Sequence, residues 1–488
     1  MRKTTLFFIV LGIFSFFFAD IEILTLEPWT ELGRILKGVI TPDVSVLFYL
    51  KEAVLNTVVF AFTGVSIAIV SGSLFAPFYK YKLVRIVLTI FRSIHEIFWA
   101  FIFLPVFGLN SVTGIFAIAV PYSAIFAKRF YEIYQSTDLR ACNELPGNSS
   151  PVLRFLFGAL PLLYEEMREF SSYRVECAIR SSAVLGFIGL PTLGFHLESF
   201  FNEGKYSQAF AILLLFYVII GTKKYWLRRK LVPVYFFTSI IFVWGNTHVV
   251  WANIVRFFTY DIIPWPMRRD GFINNTKQIL WRPSETIDWF YTLLRGEVLP
   301  GARDTLILTQ ITFLLSGVFA ILFIGLVVRN INKPLIRKFI RILLLVFRST
   351  PEYITAYVAI QLWGPSMMPG IVALVLHNSA VVTILTIRNA DSLVLPLDVA
   401  RGKINCFFFH ILPQIYNSFL GNLFYRWEVM VRESSILGVL GIYTLGFYID
   451  SAISDDKMDK VIFLIMCMSI INIVIDSVSN KVRSVILE

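Results

Sequence analysis

Two arginines sit in apolar sequence with no acid three or four residues away in either direction. Arg174 has Phe170, Ser171, Cys177 and Ala178 at those positions, and Arg426 has Asn422, Leu423, Val429 and Met430. Residues at those spacings share a helix face, so neither arginine meets a neutralising acid there. A guanidinium presents a planar fork that donates bidentately to phosphate-like oxygens. The two positions therefore predict a site for an oxyanion. Four other pairs stand four residues apart: Arg92 with Glu96, Arg348 with Glu352, Glu176 with Arg180, and Glu428 with Arg432. If helical, each pair lies on one face and is expected to neutralise itself.

A glycine-rich segment follows each arginine cluster, LGFIGLPTLG (185–194) and LGVLGIYTLG (437–446). Gly186, Gly189 and Gly194 in the first recur as Gly438, Gly441 and Gly446 in the second. Glycine permits tight turns and close helix contact. The segments read either as small-residue packing or as irregular, gating backbone along a water-filled cavity. Other chemistry is sparse. Cys142, Cys177, Cys406 and Cys467 show no C-x-x-C spacing, and His95, His196, His248, His377 and His410 show no metal-ligand spacing. Neither a metal site nor a catalytic residue is expected. No G-x-x-x-x-G-K-[ST] phosphate loop occurs, so ATP hydrolysis does not belong to this chain. The cluster YEEMRE (164–169), which holds Glu165, Glu166, Arg168 and Glu169, reads only as a wetter helix face.

The elements that carry these residues follow from composition. Of 488 residues, 57% are hydrophobic and 16% charged, against about 25% charged in soluble chains. This is an all-α polytopic membrane protein in its composition. A span needs about 20 apolar residues, and twelve stretches are predicted, among them 83–107 and 339–363. The first, behind Arg2 and Lys3, reads as an uncleaved anchor, because Phe stands where a small residue should precede cleavage. The net charge of +11 comes from 44 Lys and Arg against 33 acids. Most of these cations fall in alternate loops, while the short turns near Gly108 and Gly364 have none. The positive-inside rule then predicts cytoplasmic N- and C-termini, and no nucleic-acid partner is needed to account for the charge. Seven arginines remain within or at the rims of spans: Arg92, Arg168, Arg174, Arg180, Arg348, Arg426 and Arg432. A charge at bilayer depth costs about 2.5–3.5 kcal/mol on insertion scales, so each requires a reason.

The chain is two copies of one unit. FRSIHE (91–96) aligns with FRSTPE (347–352), and YRVECAIRSSAVLGFIGLPTLGF (173–195) with YRWEVMVRESSILGVLGIYTLGF (425–447). Leu160–Pro161 aligns with Leu412–Pro413 and Asn56–Thr57 with Asp304–Thr305. Two parallel repeats of about six spans each are expected, 1–230 and 231–488, since an even span number preserves orientation. Six of the seven embedded arginines fall into repeat-related pairs, as do the acids Glu96/Glu352 and Glu176/Glu428.

The pattern Y-R-x-E-x-x-x-R, followed by x-S-x-[VI]-L-G-x-x-G-x-x-T-L-G, resembles the permease subunit of phosphonate ABC importers. The upstream F-R-S-x-x-E and the N/D-T opening of the second span agree with it. The resemblance implies a type I ABC importer permease fold in a bacterial cytoplasmic (inner) membrane. It implies a translocation pathway between the two repeats, lined by the ten repeat-related charges, for phosphonate, phosphite or a related oxyanion. That family has one unit per chain and pairs two chains; here two units are fused. It further implies two cytoplasmic ABC ATPase subunits carrying the ATP and Mg, an extracytoplasmic substrate-binding protein, and no enzymatic activity of the chain itself. The family's ATPase-docking loop has the form E-A-A-x-x-x-G with Pro eleven residues later. Glu144, Ser150 and Pro161 match part of it in the first copy, and Gly402 and Pro413 in the second, where Pro396 replaces the Glu. Alternative readings are a permease for methionine or another small solute, and a six-plus-six secondary transporter with an acid for ion coupling.

Overall fold

The computed structural model describes residues 2–487 other than 26, 141–149, 151–152, 229, 246–248, 271–276, 280–281, 330 and 394–401. The chain is helical almost throughout, as its composition requires. Among the described residues the one departure is a short antiparallel ribbon, Arg268–Asp270 paired with Lys277–Ile279. Apolar sequence in lipid must satisfy its own backbone, and a helix does so within one segment.

Among the described residues, five helices are long and apolar enough to cross a membrane unbroken: Lys51–Lys80, Ser111–Ser136, Pro283–Val327, Met367–Asp391 and Met458–Val485. Three further candidates are bent pairs, which brings the number to at most eight, against the twelve spans predicted. Shorter apolar helices cover Thr5–Phe16, Tyr206–Gly221 and Val232–Ile241. Much of the difference arises where a continuous apolar run is not one rod. The predicted span 83–107 consists of Lys82–Ser93 and Glu96–Phe107, which meet at 92°. His95 restarts the second piece by accepting the Ile97 amide on its ring nitrogen at 3.3 Å. The predicted span 339–363 is likewise divided into Pro334–Ser349 and Glu352–Trp363, with Pro351 at the break.

The repeats of the sequence and the compact units of the structure divide the chain at different places. One unit comprises Gly38–Val255, and the other joins Met1–Lys37 to Arg256–Glu488. The reason lies in the helix Arg2–Phe16. Phe8 is buried among Phe313, Phe424 and Trp427, with ring centroids 5.5, 4.9 and 5.2 Å away. The Tyr416 hydroxyl bonds Thr5 Oγ1 at 3.0 Å. Packing of this kind, and not transfer from water, holds helices together in lipid.

Within each unit the same order of elements recurs. In the first, Lys51–Phe75 packs along Ser111–Ser136, pinned by Ser71 and Ser123 hydroxyls 2.6 Å apart. In the second, Leu299–Val327 packs along Met367–Asp391, where Thr383 donates to the Ala320 carbonyl at 3.4 Å. Each unit then presents a long helix, Leu160–Val184 or Leu412–Ser434, preceded by a π-helical turn and followed by a 3-10 turn and a bend.

Candidate functional site

The long helices Leu160–Val184 and Leu412–Ser434 carry the repeated charges, and the glycine segments decide where those helices stop. After Val184 the chain tightens into a 3-10 turn (Leu185–Ile188), reverses at Gly189 with φ +92°, and starts the helix Leu193–Asn202 at a 53° angle. After Ser434 it does the same through Ser435–Leu440 and Gly441 (φ +82°), and the two pieces meet at 42°. A left-handed residue costs a side chain about 1–2 kcal/mol, so glycine is required at both reversals. At Gly194 and Gly446 a Cβ would lie 1.7 Å from the Ala183 and Ser435 carbonyl oxygens. At Gly186 and Gly438 it would lie 2.2 and 2.0 Å from the Phe195 and Phe447 amides. The glycines thus serve a close backbone crossing, with irregular backbone between the two helix pieces. This geometry supplies the tight turn and the close backbone contact that glycine permits.

A residue pair that sequence reasoning noted without a role closes each crossing. Thr57 Oγ1 accepts the Leu193 amide at 2.9 Å, and Thr305 Oγ1 accepts the Leu445 amide at 3.0 Å. In the first unit Asn56 also donates to the Pro191 carbonyl at 2.9 Å, and Ser182 to the Thr57 carbonyl at 2.7 Å. The N/D-T motif therefore caps the helix that follows the bend.

The two arginines have different surroundings. Arg426 is only 8% exposed. It donates from Nε to Asn378 Oδ1 at 2.6 Å and from Nη2 to both Glu433 oxygens at 3.0 and 3.2 Å. Glu433 lies seven residues further along the same helix. Two turns of a helix return nearly to the same face, so a search limited to three and four residues overlooked this acid. Beside it, His377 Nε2 lies 3.0 Å from Glu352 Oε1. Ligand-type atoms of Glu352, His377 and Glu433 all fall within 4.8 Å of one another. Three positions far apart in sequence are gathered here by the fold, which spacing along the chain cannot reveal. Of these groups Glu433 accepts from Arg426, and His377 Nδ1 lies 3.3 Å from the Phe347 carbonyl oxygen.

Arg174 holds the same place in the first repeat, where Tyr122 replaces Asn378 and Ser181 replaces Glu433. Its guanidinium lies 5.3 Å from the centroids of both the Tyr122 and Phe170 rings and 5.8 Å from that of Tyr173. Such contacts hold a cation by the ring quadrupole. The Tyr122 and Ser181 hydroxyls are 3.4 Å apart, and Ser181 reaches Glu96 Oε1 at 3.4 Å.

The remaining pairs are placed as follows. Arg92 and Glu96 stand on separate helix pieces across the 92° bend, and Arg348 and Glu352 on separate pieces across Pro351. The one-face argument fails for both, because neither stretch is a single helix. Glu176 with Arg180, and Glu428 with Arg432, do lie on continuous helices. Glu176 additionally bonds Lys223, beyond the helix Tyr206–Gly221. In the loop segments, Glu144 and Pro396 lie outside the described residues. Ser150 accepts the Leu153 amide on its hydroxyl at 3.3 Å, and Gly402, at φ +114°, accepts the Cys406 amide on its carbonyl at 3.0 Å. Pro161 and Pro413 occupy the first turn of the long helices, where a missing N–H is harmless.

Residues 317–483 match the family described as binding-protein-dependent transport system inner membrane component. That match lies within the second repeat, and the chain is similar to permease components of ABC importers of the phosphonate type its motifs resemble. Over 449 residues it is 23% identical to the phosphate-import permease protein PhnE of Mycolicibacterium smegmatis, covering 89% of this chain and 84% of that protein. It is 26% identical over 209 residues to the phosphite transport system permease protein PtxC of Stutzerimonas stutzeri, covering 39% of this chain and 75% of that one. It is also 20% identical over 143 residues to the putative phosphite transport system permease protein HtxE of the same organism, covering 55% of it. No solved structure matches.

Proposed function

We propose that this chain forms the membrane-spanning pathway of an ATP-driven importer for a phosphorus oxyanion: phosphate, phosphite or a phosphonate. One observation carries this reading. A single relative named as a phosphate-import permease is matched over 89% of the chain, and the arginine and glycine pattern occurs twice within that length. A guanidinium of the repeated Y-R-x-E-x-x-x-R segment supplies the contact to the oxyanion, because its fork suits tetrahedral oxygens.

In this reading the chain performs no chemistry. Two separate ATPase subunits, holding ATP and Mg, dock at the segments around Ser150–Pro161 and Gly402–Pro413, and an extracytoplasmic binding protein delivers the substrate. The protein is a multi-pass component of a bacterial inner membrane with both termini in the cytoplasm. The test is uptake by proteoliposomes containing the chain, its ATPase and its binding protein. ATP-dependent accumulation of labelled phosphate, phosphite or methylphosphonate, with none of methionine, is the expected result. Uptake of methionine, or oxyanion uptake driven by an ion gradient without ATP, would overturn it.

A further inference from the structure

The helix Pro334–Ser349 carries three strips of side chain with three different surroundings. Leu344 is buried with Val327 and Ala380, and Ile340 and Phe347 pack beside it, so this strip faces the core of its own unit. Leu335, Phe339, Ile342 and Val346 follow one another at helical spacing and share a second face. All four are exposed, Leu335 by 79% and Phe339 by 65%. Lys338 and Arg341, three residues apart, form a third strip along the edge of the second. With Arg337, Pro334, Ile342 and Leu345 they line a cavity of about 320 Å³. Arg341 donates from Nη2 to Asp391 Oδ2 at 2.9 Å, yet 52% of its side chain remains exposed. The cavity therefore gathers three cations, one of them shared with a carboxylate, on walls that are half apolar.

The first repeat contains the same device within its own unit. Lys82 and Arg85 stand where the second repeat has Lys338 and Arg341. Leu88 is buried as Leu344 is, and Leu83 and Ile86 are exposed as Phe339 and Ile342 are. Their helix, Lys82–Ser93, meets the apolar helix Glu96–Phe107 at 92°. When Glu96–Phe107 is directed into the bilayer, Lys82–Ser93 lies along the bilayer surface, the setting of an interfacial helix. Tyr81 occupies the place of Arg337, so of the two repeats the second has the extra cation. Cations beside an exposed apolar strip complement a phospholipid of net negative charge: its chains cover the strip, and its phosphodiester meets the guanidinium forks. A soluble acidic partner would satisfy the cations and leave Leu335, Phe339 and Val346 facing water.

We propose that Pro334–Ser349 lies in the membrane interface and that Arg337, Lys338 and Arg341 hold the headgroup of an anionic phospholipid. The two guanidiniums and the ammonium donate to the phosphodiester oxygens, and the acyl chains lie on Phe339, Ile342 and their neighbours. Occupancy of this site does not depend on which solute the importer carries.

The test is native mass spectrometry of the full chain in detergent, titrated with phosphatidylglycerol or phosphatidylcholine, each with and without inorganic phosphate. The parent is expected to hold its tightest phosphatidylglycerol at least about tenfold more strongly than phosphatidylcholine, and inorganic phosphate should not displace it. A cation near the membrane surface is worth about a fivefold preference for anionic lipid. Arg337→Gln with Lys338→Gln is therefore expected to weaken phosphatidylglycerol about twentyfold, and Lys338→Gln alone about fivefold. Lys457→Gln removes an exposed cation outside this helix and should leave the affinity unchanged. Thermal unfolding without lipid checks the fold of each variant, and Lys338, being exposed, can be changed without disturbing the core. Equal affinity for the two lipids, displacement by inorganic phosphate, or unchanged phosphatidylglycerol affinity in the double variant would overturn the site. Loss of ATPase-subunit binding in that variant, with lipid affinity intact, would assign the cations to a protein partner instead.

Discussion

Thr57 Oγ1 accepts the Leu193 amide at 2.9 Å while its own hydroxyl donates to the Ala53 carbonyl at 2.7 Å. Thr305 does the same with Leu445 and Gly301, at 3.0 and 2.7 Å. One hydroxyl in each unit therefore both closes a turn of its own helix and caps the helix beyond the bend. Thr57→Val keeps the shape but orphans the buried Leu193 amide, which costs about 1–3 kcal/mol. The expected outcome is a lower unfolding temperature for Thr57→Val and for Thr305→Val, with Thr→Ser at either position close to the parent. Equal stability of the Val and Ser variants would refute this role.

The glycine crossing makes a sharper prediction. A methyl group at Gly194 or Gly446 would sit 1.7 Å from a backbone oxygen, and no side chain can move aside to relieve it. Gly194→Ala and Gly446→Ala should fail to yield folded protein in the membrane fraction. Gly221→Ala is the matched control, since nothing lies within 4 Å of a Cβ there. Fluorescence-detected gel filtration of tagged variants reads the difference directly.

Phe8 tests the grouping of Met1–Lys37 with Arg256–Glu488. Its ring is 7% exposed and meets three aromatic neighbours of the second repeat. Phe8→Ala leaves a cavity without the full water-to-oil transfer term, for a loss of about 1–3 kcal/mol. Amide exchange should quicken in Leu299–Val327 and Leu412–Ser434 and stay unchanged in Lys51–Phe75. Faster exchange confined to Lys51–Phe75 would contradict the packing.

A pH effect is expected outside the membrane, at Asp43. Its carboxylate accepts the Ser45 hydroxyl at 2.6 Å and the Ser45 amide at 3.1 Å, and these bonds hold its pKa below the ordinary carboxylate value. A depressed pKa contributes stability that is present above the unfolded value and is lost as pH falls through the folded one. Exchange protection of the turn Val44–Phe48 should therefore weaken on acidification below the normal Asp range. Asp43→Asn should make that protection low and independent of pH.

The sequence carried the architecture further than it carried the site. Apolar runs pointed to a helical membrane protein and the duplicated motifs to a repeated unit, because hydrophobicity and repetition are local and linear. The bends were harder to read. Nothing at Ser93–His95 signals a break, yet Pro351 marks it in the sister copy, so aligning the repeats could have transferred the signal. The partners of Arg426 were illegible for two different reasons. Glu433 lay within reach on the same helix but two turns away, where the usual search stops. Asn378 comes from another helix, and only packing brings it to 2.6 Å.

Thr5 and Tyr416, which share a hydrogen bond, are separated by 411 residues of chain. At about 5–20 residues per second, roughly 20–80 s of synthesis separate the appearance of these two partners. The helix Arg2–Phe16 therefore enters the membrane long before the surface it packs on has been made. For the later part of that interval, once Val255 has been made, the intervening unit, Gly38–Val255, has all of its own residues available and can fold. Assembly in the cell is thus not sequential along the chain: one of the earliest helices inserted is among the last to be locked into place.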